Sequence, residues 1–189
     1  MRFEPAPLEG LWTVHPTPHA DERGRFVRVF CADAFAPLRP DLRFVQVNLS
    51  TTHVRGTVRG LHWQRAPHAD AKLIRCVRGA AWDVAVDLRP GSATFGRWHA
   101  VTLRADDDSA VFIPEGFAHG FQALCDDTVL LYQHTAAWTP QAEAGLRHDD
   151  PTIAIAWPLP VGVVSARDRA HPTLQRLPEA AARPEAQPA

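Results

Sequence analysis

Residues 72–88, KLIRCVRGAAWDVAVDL, contain two apolar runs, KLIRCVR at 72–78 and AWDVAVDL at 81–88, the second closed by RPGS at 89–92. Short apolar runs ended by turn-forming residues read as strands. In the second run Asp83 and Asp87 alternate with apolar neighbours and share one face, because strand side chains repeat with a period of two. Similar β-rich or alternating composition recurs at 11–15, 26–30, 43–49, 56–63, 98–103, 109–113, 119–124 and 128–134, with a further break, RADDD, at 104–108. Helical periodicity is confined to a short candidate at 32–38, with a turn near 151–155. Many short strands with regular turn signals predict an all-β sandwich or barrel, a jelly roll with short helices.

Composition narrows the function. At 189 residues, 46% of them hydrophobic, the chain is long enough for one domain with a substantial core. The formal net charge is -1, from 20 basic and 21 acidic side chains, so there is no basic excess to serve a nucleic-acid surface. Cys31, Cys76 and Cys125 are odd in number and include no CxxC pair, which suits reduced thiols in the cytoplasm. The N-terminus MRFEPAPLEG lacks the apolar run of a signal peptide. No apolar stretch approaches the roughly 18 residues of a membrane span. The expectation is one domain over residues 1–177, followed at 178–189 by PEAAARPEAQPA, read as a disordered tail.

Five positions are candidates to carry chemistry. His62 lies in RGLHWQ (Arg59–Gln64); on a regular strand it shares a face with Gly60 and Gln64, while Arg59, Leu61 and Trp63 take the other. Histidine exchanges a proton near neutral pH, although a lone histidine serves as well in a packed core. Lys72 is the only lysine in a chain whose other basic residues are arginine, and an ammonium beside a carbonyl stabilises negative charge developing on its oxygen. The bland alternative is an edge lysine. Asp83 and Asp87, if interior, need a partner, whether a substrate hydroxyl, a histidine to orient or a structural ion pair. Tyr132, the only tyrosine, is a protonated donor at neutral pH.

In IPEGFAHGFQAL (113–124), PxGxxH matches the second half of the cupin pattern, whose turn delivers a histidine, here His119, to a barrel interior. The first half of that pattern requires HxH and a later glutamate for a metal. Five residues separate Gly56 from His62, but Gln64 occupies the second histidine slot and the glutamate slot falls near His68 or Ala69. A metal centre would have to be assembled from His62, His119, His68 and a borrowed Asp70 or Asp83, an incomplete first shell.

The chain resembles the dTDP-4-dehydrorhamnose 3,5-epimerase family of nucleotide-sugar epimerases. The resemblance runs from Asp21 to Pro172 in ordered blocks: DERGRF (Asp21–Phe26), QVNLS (Gln46–Ser50), RGLHWQ, KLIRCVRG (Lys72–Gly79), DVAVDLRPGSATFG (Asp83–Gly96), IPEGFAHGF (Ile113–Phe121), the Tyr132 strand and SARD (Ser165–Asp168). It implies a cupin-type double-stranded β-helix, a homodimer and no metal or organic cofactor. It also implies a nucleotide-linked 4-keto-6-deoxyhexose as substrate and no nucleic-acid or membrane partner. By this likeness His62 is the base oriented by Asp168, Tyr132 the acid, and Lys72 the group polarising the C4 carbonyl. Arg23, Arg59, Gln46 and Asn48 would hold the diphosphate and nucleotide, and His119, Glu143 and Arg167 would line the remaining site. Arg23 and Phe26 would reach the neighbouring subunit's pocket.

Two positions depart from the family pattern. Arg28 stands where a glutamate is common in the nucleotide-binding block, and it offers donors in place of acceptors, which admits a cytidine-linked sugar as an alternative. His148 stands where a tryptophan is common. Other readings are a mono-epimerase inverting only C3 or C5, a metal-dependent cupin, and a sugar-binding cupin without turnover.

Overall fold

The computed structural model describes residues 1–177; the tail reading at 178–189 falls outside them. The described residues form two packed antiparallel sheets and a hairpin. The first sheet runs β1 (Arg2–Pro5), β2 (Trp12–His15), β10 (Ala110–Ile113), β7 (Lys72–Arg78), β12 (Thr128–His134), β5 (Gln46–Thr52). The second runs β13 (Glu143–Gly145), β6 (Val58–Gln64), β11 (Phe117–Ala123), β8 (Ala80–Asp87), β9 (Trp98–Arg104). The strands β3 (Pro18–Asp21) and β4 (Gly24–Val27) pair separately. The order is the expected jelly roll, with two short helices, α1 (Ala32–Phe35) and α2 (Ala166–Ala170), at its margins.

Alternation along the strands builds the core. On β11, Phe117, Phe121 and Ala123 pack inward with Ile74, Ala81, Ala85 and Leu130 between the sheets. The outer face of the second sheet is also covered: Leu61, Val84 and Val86 pack beneath Leu146, Ile153 and Trp157 of the C-terminal segment. The outer face of the first is covered by Phe35 and Leu42. Strands buried on both faces lose their polar side: β10, AVFI, is buried throughout and reads as a continuous apolar run, and β11 is buried throughout with only His119 and Gln122 polar. Each buried Leu or Phe contributes about 1.5–3 kcal/mol, relative to exposure.

Several boundaries differ from the sequence reading. The run at 26–30 pairs only as far as Val27, and Phe30 instead packs on the rings of Phe35 and Phe44, so its apolar character serves the core and not a ladder. The run at 43–49 pairs from Gln46 to Thr52. β1, β3 and β13, at three or four residues each, are too short to show periodicity. The helix read at 32–38 ends at Phe35.

The regular alternation expected across RGLHWQ is also corrected. His119 pairs with His62 and Phe121 with Arg59, so two steps along β11 match three along β6, which makes one extra residue in β6. His119 and Phe121 share the inner face, and the bulge therefore turns Arg59 to the same side as His62.

Candidate active site

Between the sheets lies a cavity of about 650 Å³, the size of a small-ligand site. His62, Arg59 and His119 enter it from the second sheet, and Lys72, Tyr132 and Asn48 from the first. Gln46, Glu143, Arg167 and Asp168 also line it.

On the second sheet, His62 Nε2 lies 2.8 Å from Asp168 Oδ1, and the Gly60 N–H donates to Asp168 Oδ2 at 3.1 Å. Ser165 caps α2 by accepting from the Asp168 N–H, which fixes the carboxylate at the first turn. Burial works to raise the Asp168 carboxyl, but the bonds from His62 and Gly60 outweigh it and bring the carboxyl down to about 2. An ionised Asp168 only accepts, so His62 directs an N–H from Nε2 at it, and in the neutral ring the Nδ1 lone pair is left free.

Behind it, His119 Nε2 lies 2.9 Å from Asp83 Oδ2, both side chains buried. Burial raises the Asp83 carboxyl against the pull of His119, and its Oδ1 finds no partner among the described residues. Asp83 thus orients a histidine. Asp87, on the same face, serves the fold instead, accepting from Arg89, Ser92 and Thr94 and tying down the turn after β8.

The first sheet supplies a second set. Lys72 Nζ lies 3.3 Å from Asp70 Oδ1, and Asp70 Oδ2 lies 2.8 Å from His134 Nδ1. Burial would raise the Asp70 carboxyl, yet His134 and Lys72 together hold it below its ordinary value. The Tyr132 ring stacks on His134 at 5.9 Å and meets His119 edge-on at 5.7 Å. Burial, reinforced by Asp83, pushes its phenol well above 10, so the hydroxyl keeps its proton throughout the neutral range.

Around this centre Arg59 donates to Thr52 Oγ1 at 3.0 Å and to the Thr51 carbonyl, Asn48 Nδ2 stands 3.4 Å from His134 Nε2, and Arg167 pairs with Glu143 at 3.1 Å. Gln46 accepts from the Trp138 N–H. Gln64, in the slot of a cupin metal ligand, is committed to the loop beyond it: it donates to the His68 and Ala137 carbonyls and accepts from the Thr139 N–H.

The cavity therefore gathers His62, Tyr132, Lys72, Asp168, Gln46, Asn48, Arg59, His119, Glu143 and Arg167. Arg23, Phe26 and Arg28 are not among its lining residues; they are exposed on or just after the β3–β4 hairpin, where Arg23 pairs with Asp21. His148 is buried outside the cavity lining, its carbonyl accepting from Trp157 Nε1. The sequence reading missed the bridge from Asp70 to His134. The signal for His134 was present, since it follows Tyr132 by two residues and shares its face. Asp70, weighed only as a metal ligand, lies in a loop where no periodicity points.

Comparison with known proteins gives a consistent answer. A family model described as dTDP-4-dehydrorhamnose 3,5-epimerase matches residues 5–176. The chain is 41% identical over 179 residues to a dTDP-4-dehydrorhamnose 3,5-epimerase of Sinorhizobium fredii, covering 94% of this chain and 92% of that protein. It is 43% identical over 171 residues to a dTDP-4-dehydrorhamnose 3-epimerase of Streptomyces niveus, covering 89% and 82%. Among solved structures, a dTDP-6-deoxy-D-glucose-3,5-epimerase from Legionella pneumophila in complex with dTDP-4-keto-L-rhamnose superposes with a TM-score of 0.90 at 35% identity, covering 99% of each chain.

Proposed function

The chain belongs to the dTDP-4-dehydrorhamnose 3,5-epimerase family, and we propose that it inverts its sugar by removing a proton on one side of the cavity and supplying another from the opposite side. It is an isomerase of nucleotide sugars that epimerises a dTDP-linked 4-keto sugar. With relatives of both the 3,5- and 3-epimerase kinds carrying dTDP names, the thymidine nucleotide takes precedence over the cytidine alternative raised by Arg28.

The reading assigns roles as follows. The C4 ketone acidifies hydrogens at C3 and C5. His62 Nδ1 removes one, while Asp168 holds the Nε2 proton and stabilises the cation that forms; a positioned base is worth about 10²–10⁴-fold. Lys72 stabilises the enolate oxygen, and loss of one such donor costs roughly 10²–10³-fold. The Tyr132 phenol delivers a proton to the opposite face. Arg59, Gln46 and Asn48 hold the diphosphate and nucleotide, and His119, Glu143 and Arg167 line the sugar. These side chains supply base, acid and electrophile, so the scheme calls for no metal or organic cofactor.

One observation carries it: His62, paired with Asp168 of α2, faces the cavity from one sheet, and Tyr132 with Lys72 faces the same cavity from the other. The test is hydrogen exchange. In deuterated water with dTDP-4-keto-6-deoxyglucose, label at both C3 and C5 by NMR marks a double epimerase, label at one a mono-epimerase. Absence of label at both would overturn the assignment.

The reading includes a homodimer. Val47 and Leu49 project from the edge strand β5 at 59% and 67% exposure, and Phe26 stands on the β3–β4 hairpin at 75%. An unpaired edge with an apolar strip is a surface a second copy would cover, and the hairpin would then bring Arg23 and Phe26 to the partner's pocket. Sedimentation should give a dimer, and Leu49→Asp should shift it toward monomer. Among the described residues no helix is long and apolar enough to cross a membrane. The three cysteines are unpaired, which fits the reducing conditions of a cytoplasm.

A further inference from the structure

His171 directly follows α2 and has no role in the scheme above, yet it is held firmly beside the base. Its ring lies against Gly145 of β13, where a Cβ would fall 2.2 to 2.4 Å from three ring atoms. Glycine at that position is what lets the ring seat there. So placed, the ring stands edge-on to His62 at 5.6 Å, and its Nε2 lies 3.8 Å from Asp168 Oδ1. That Nε2 is buried and has no hydrogen-bond partner among the described residues. A buried nitrogen left unsatisfied has lost its water without gaining a partner.

One ligand atom from each of His62, Asp168 and His171 lies within 4.8 Å of the other two, and among the described residues these are the metal-capable side chains grouped so closely. His119 is not part of the group. Two imidazoles and a carboxylate are the three protein donors of an open zinc site. Tetrahedral bonds of about 2.0–2.1 Å place donor atoms roughly 3.4 Å apart. The separations of 2.8 Å from His62 and 3.8 Å from His171 to Asp168 Oδ1 straddle that spacing, so small ring rotations would close the shell. Asp168 Oδ2 is already fixed by the Gly60 N–H, the outer support a ligating carboxylate needs.

We propose that His62, Asp168 and His171 bind a borderline divalent transition cation, Zn²⁺ being the probe of choice, and that its binding silences the enzyme. A neutral imidazole that gives Nε2 to a metal carries its proton on Nδ1. In His62 that is the atom assigned to accept the substrate's proton, so the metal form has no base. Silencing rests on the role given to His62 above; binding does not. Hard Mg²⁺, which takes oxygen ligands and keeps its waters, should neither bind nor inhibit.

The test uses the full chain stripped with a chelator. Calorimetric titration with Zn²⁺ alone should show one-to-one binding, and Zn²⁺ should stop deuterium exchange into the substrate until EDTA restores it. His171→Phe keeps a ring against Gly145 without a nitrogen, and His171→Ala serves if that ring disturbs folding. Both should bind Zn²⁺ at least about tenfold more weakly and resist inhibition, each measured against its own metal-free rate. Failure to bind, or equal affinity in both variants, overturns the site. Binding that depends on His171 but leaves exchange untouched upholds the site and instead removes His62 as the base.

Discussion

Arg59 and His62 line the same cavity although they stand three residues apart on one strand, a spacing that sends side chains to opposite faces of a regular ladder. The extra residue between them lies where Gly60 passes Gly120 on β11. A Cβ on Gly60, whose φ is +115°, would come within 2.6 Å of the Gly120 Cα and 2.7 Å of the His119 carbonyl. Gly60→Ala should therefore cost well over about 1 kcal/mol and displace the N–H that binds Asp168. Denaturant melts and the exchange assay would read the two effects together.

His62→Ala should abolish exchange at either carbon, a loss of about 10²–10⁴-fold. Tyr132→Phe should block inversion while sparing some exchange, because in the proposed scheme the phenol acts after the enolate forms. Equal loss of exchange and inversion in Tyr132→Phe would count against that division of labour.

Asp70 touches both Lys72 and His134, so in the proposed scheme it sets how the ammonium meets the carbonyl oxygen. Asp70→Asn should lower kcat by about tenfold or more with a smaller change in KM. His134→Gln keeps a donor for Asp70 and should retain more activity than His134→Ala. Steady-state kinetics of the three variants would separate positioning from simple loss of packing.

The turn after β8 gives a stability prediction with a definite sign. Burial opposes ionisation of Asp87, but bonds from Arg89, Ser92 and Thr94 prevail and bring its carboxyl down to about 2. A carboxyl depressed in the folded state stabilises above its unfolded value, near 3.9, and loses that contribution as pH falls through about 2. The contribution is about 2 kcal/mol at neutral pH. Asp87→Asn should be destabilised at pH 7, and the gap to the parent chain should narrow below about pH 4 in denaturant titrations.

Much of the site could be read before the fold was known. Tyr132 and Lys72 stand out because each is the only residue of its kind in the chain. His119 follows a proline–glycine turn that delivers it inward, and strand alternation puts Asp83 and Asp87 on one face. His171 carried no signal: it is a histidine after a short helix, and only its contact with Gly145 brings it to His62.

The sequence by itself determined the all-β architecture, most strand positions and the chemical types available to the cavity, because strand alternation and turn chemistry are local properties written every two to four residues. The tertiary structure decided which carboxylate meets which imidazole. Asp168 reaches His62 across 106 residues of chain, and Asp70 reaches His134 across 64. It also decided that Arg59 faces the cavity, through one residue of slippage in the pairing of β6 with β11. Such contacts depend on how the two sheets close over one another, and no local period records that.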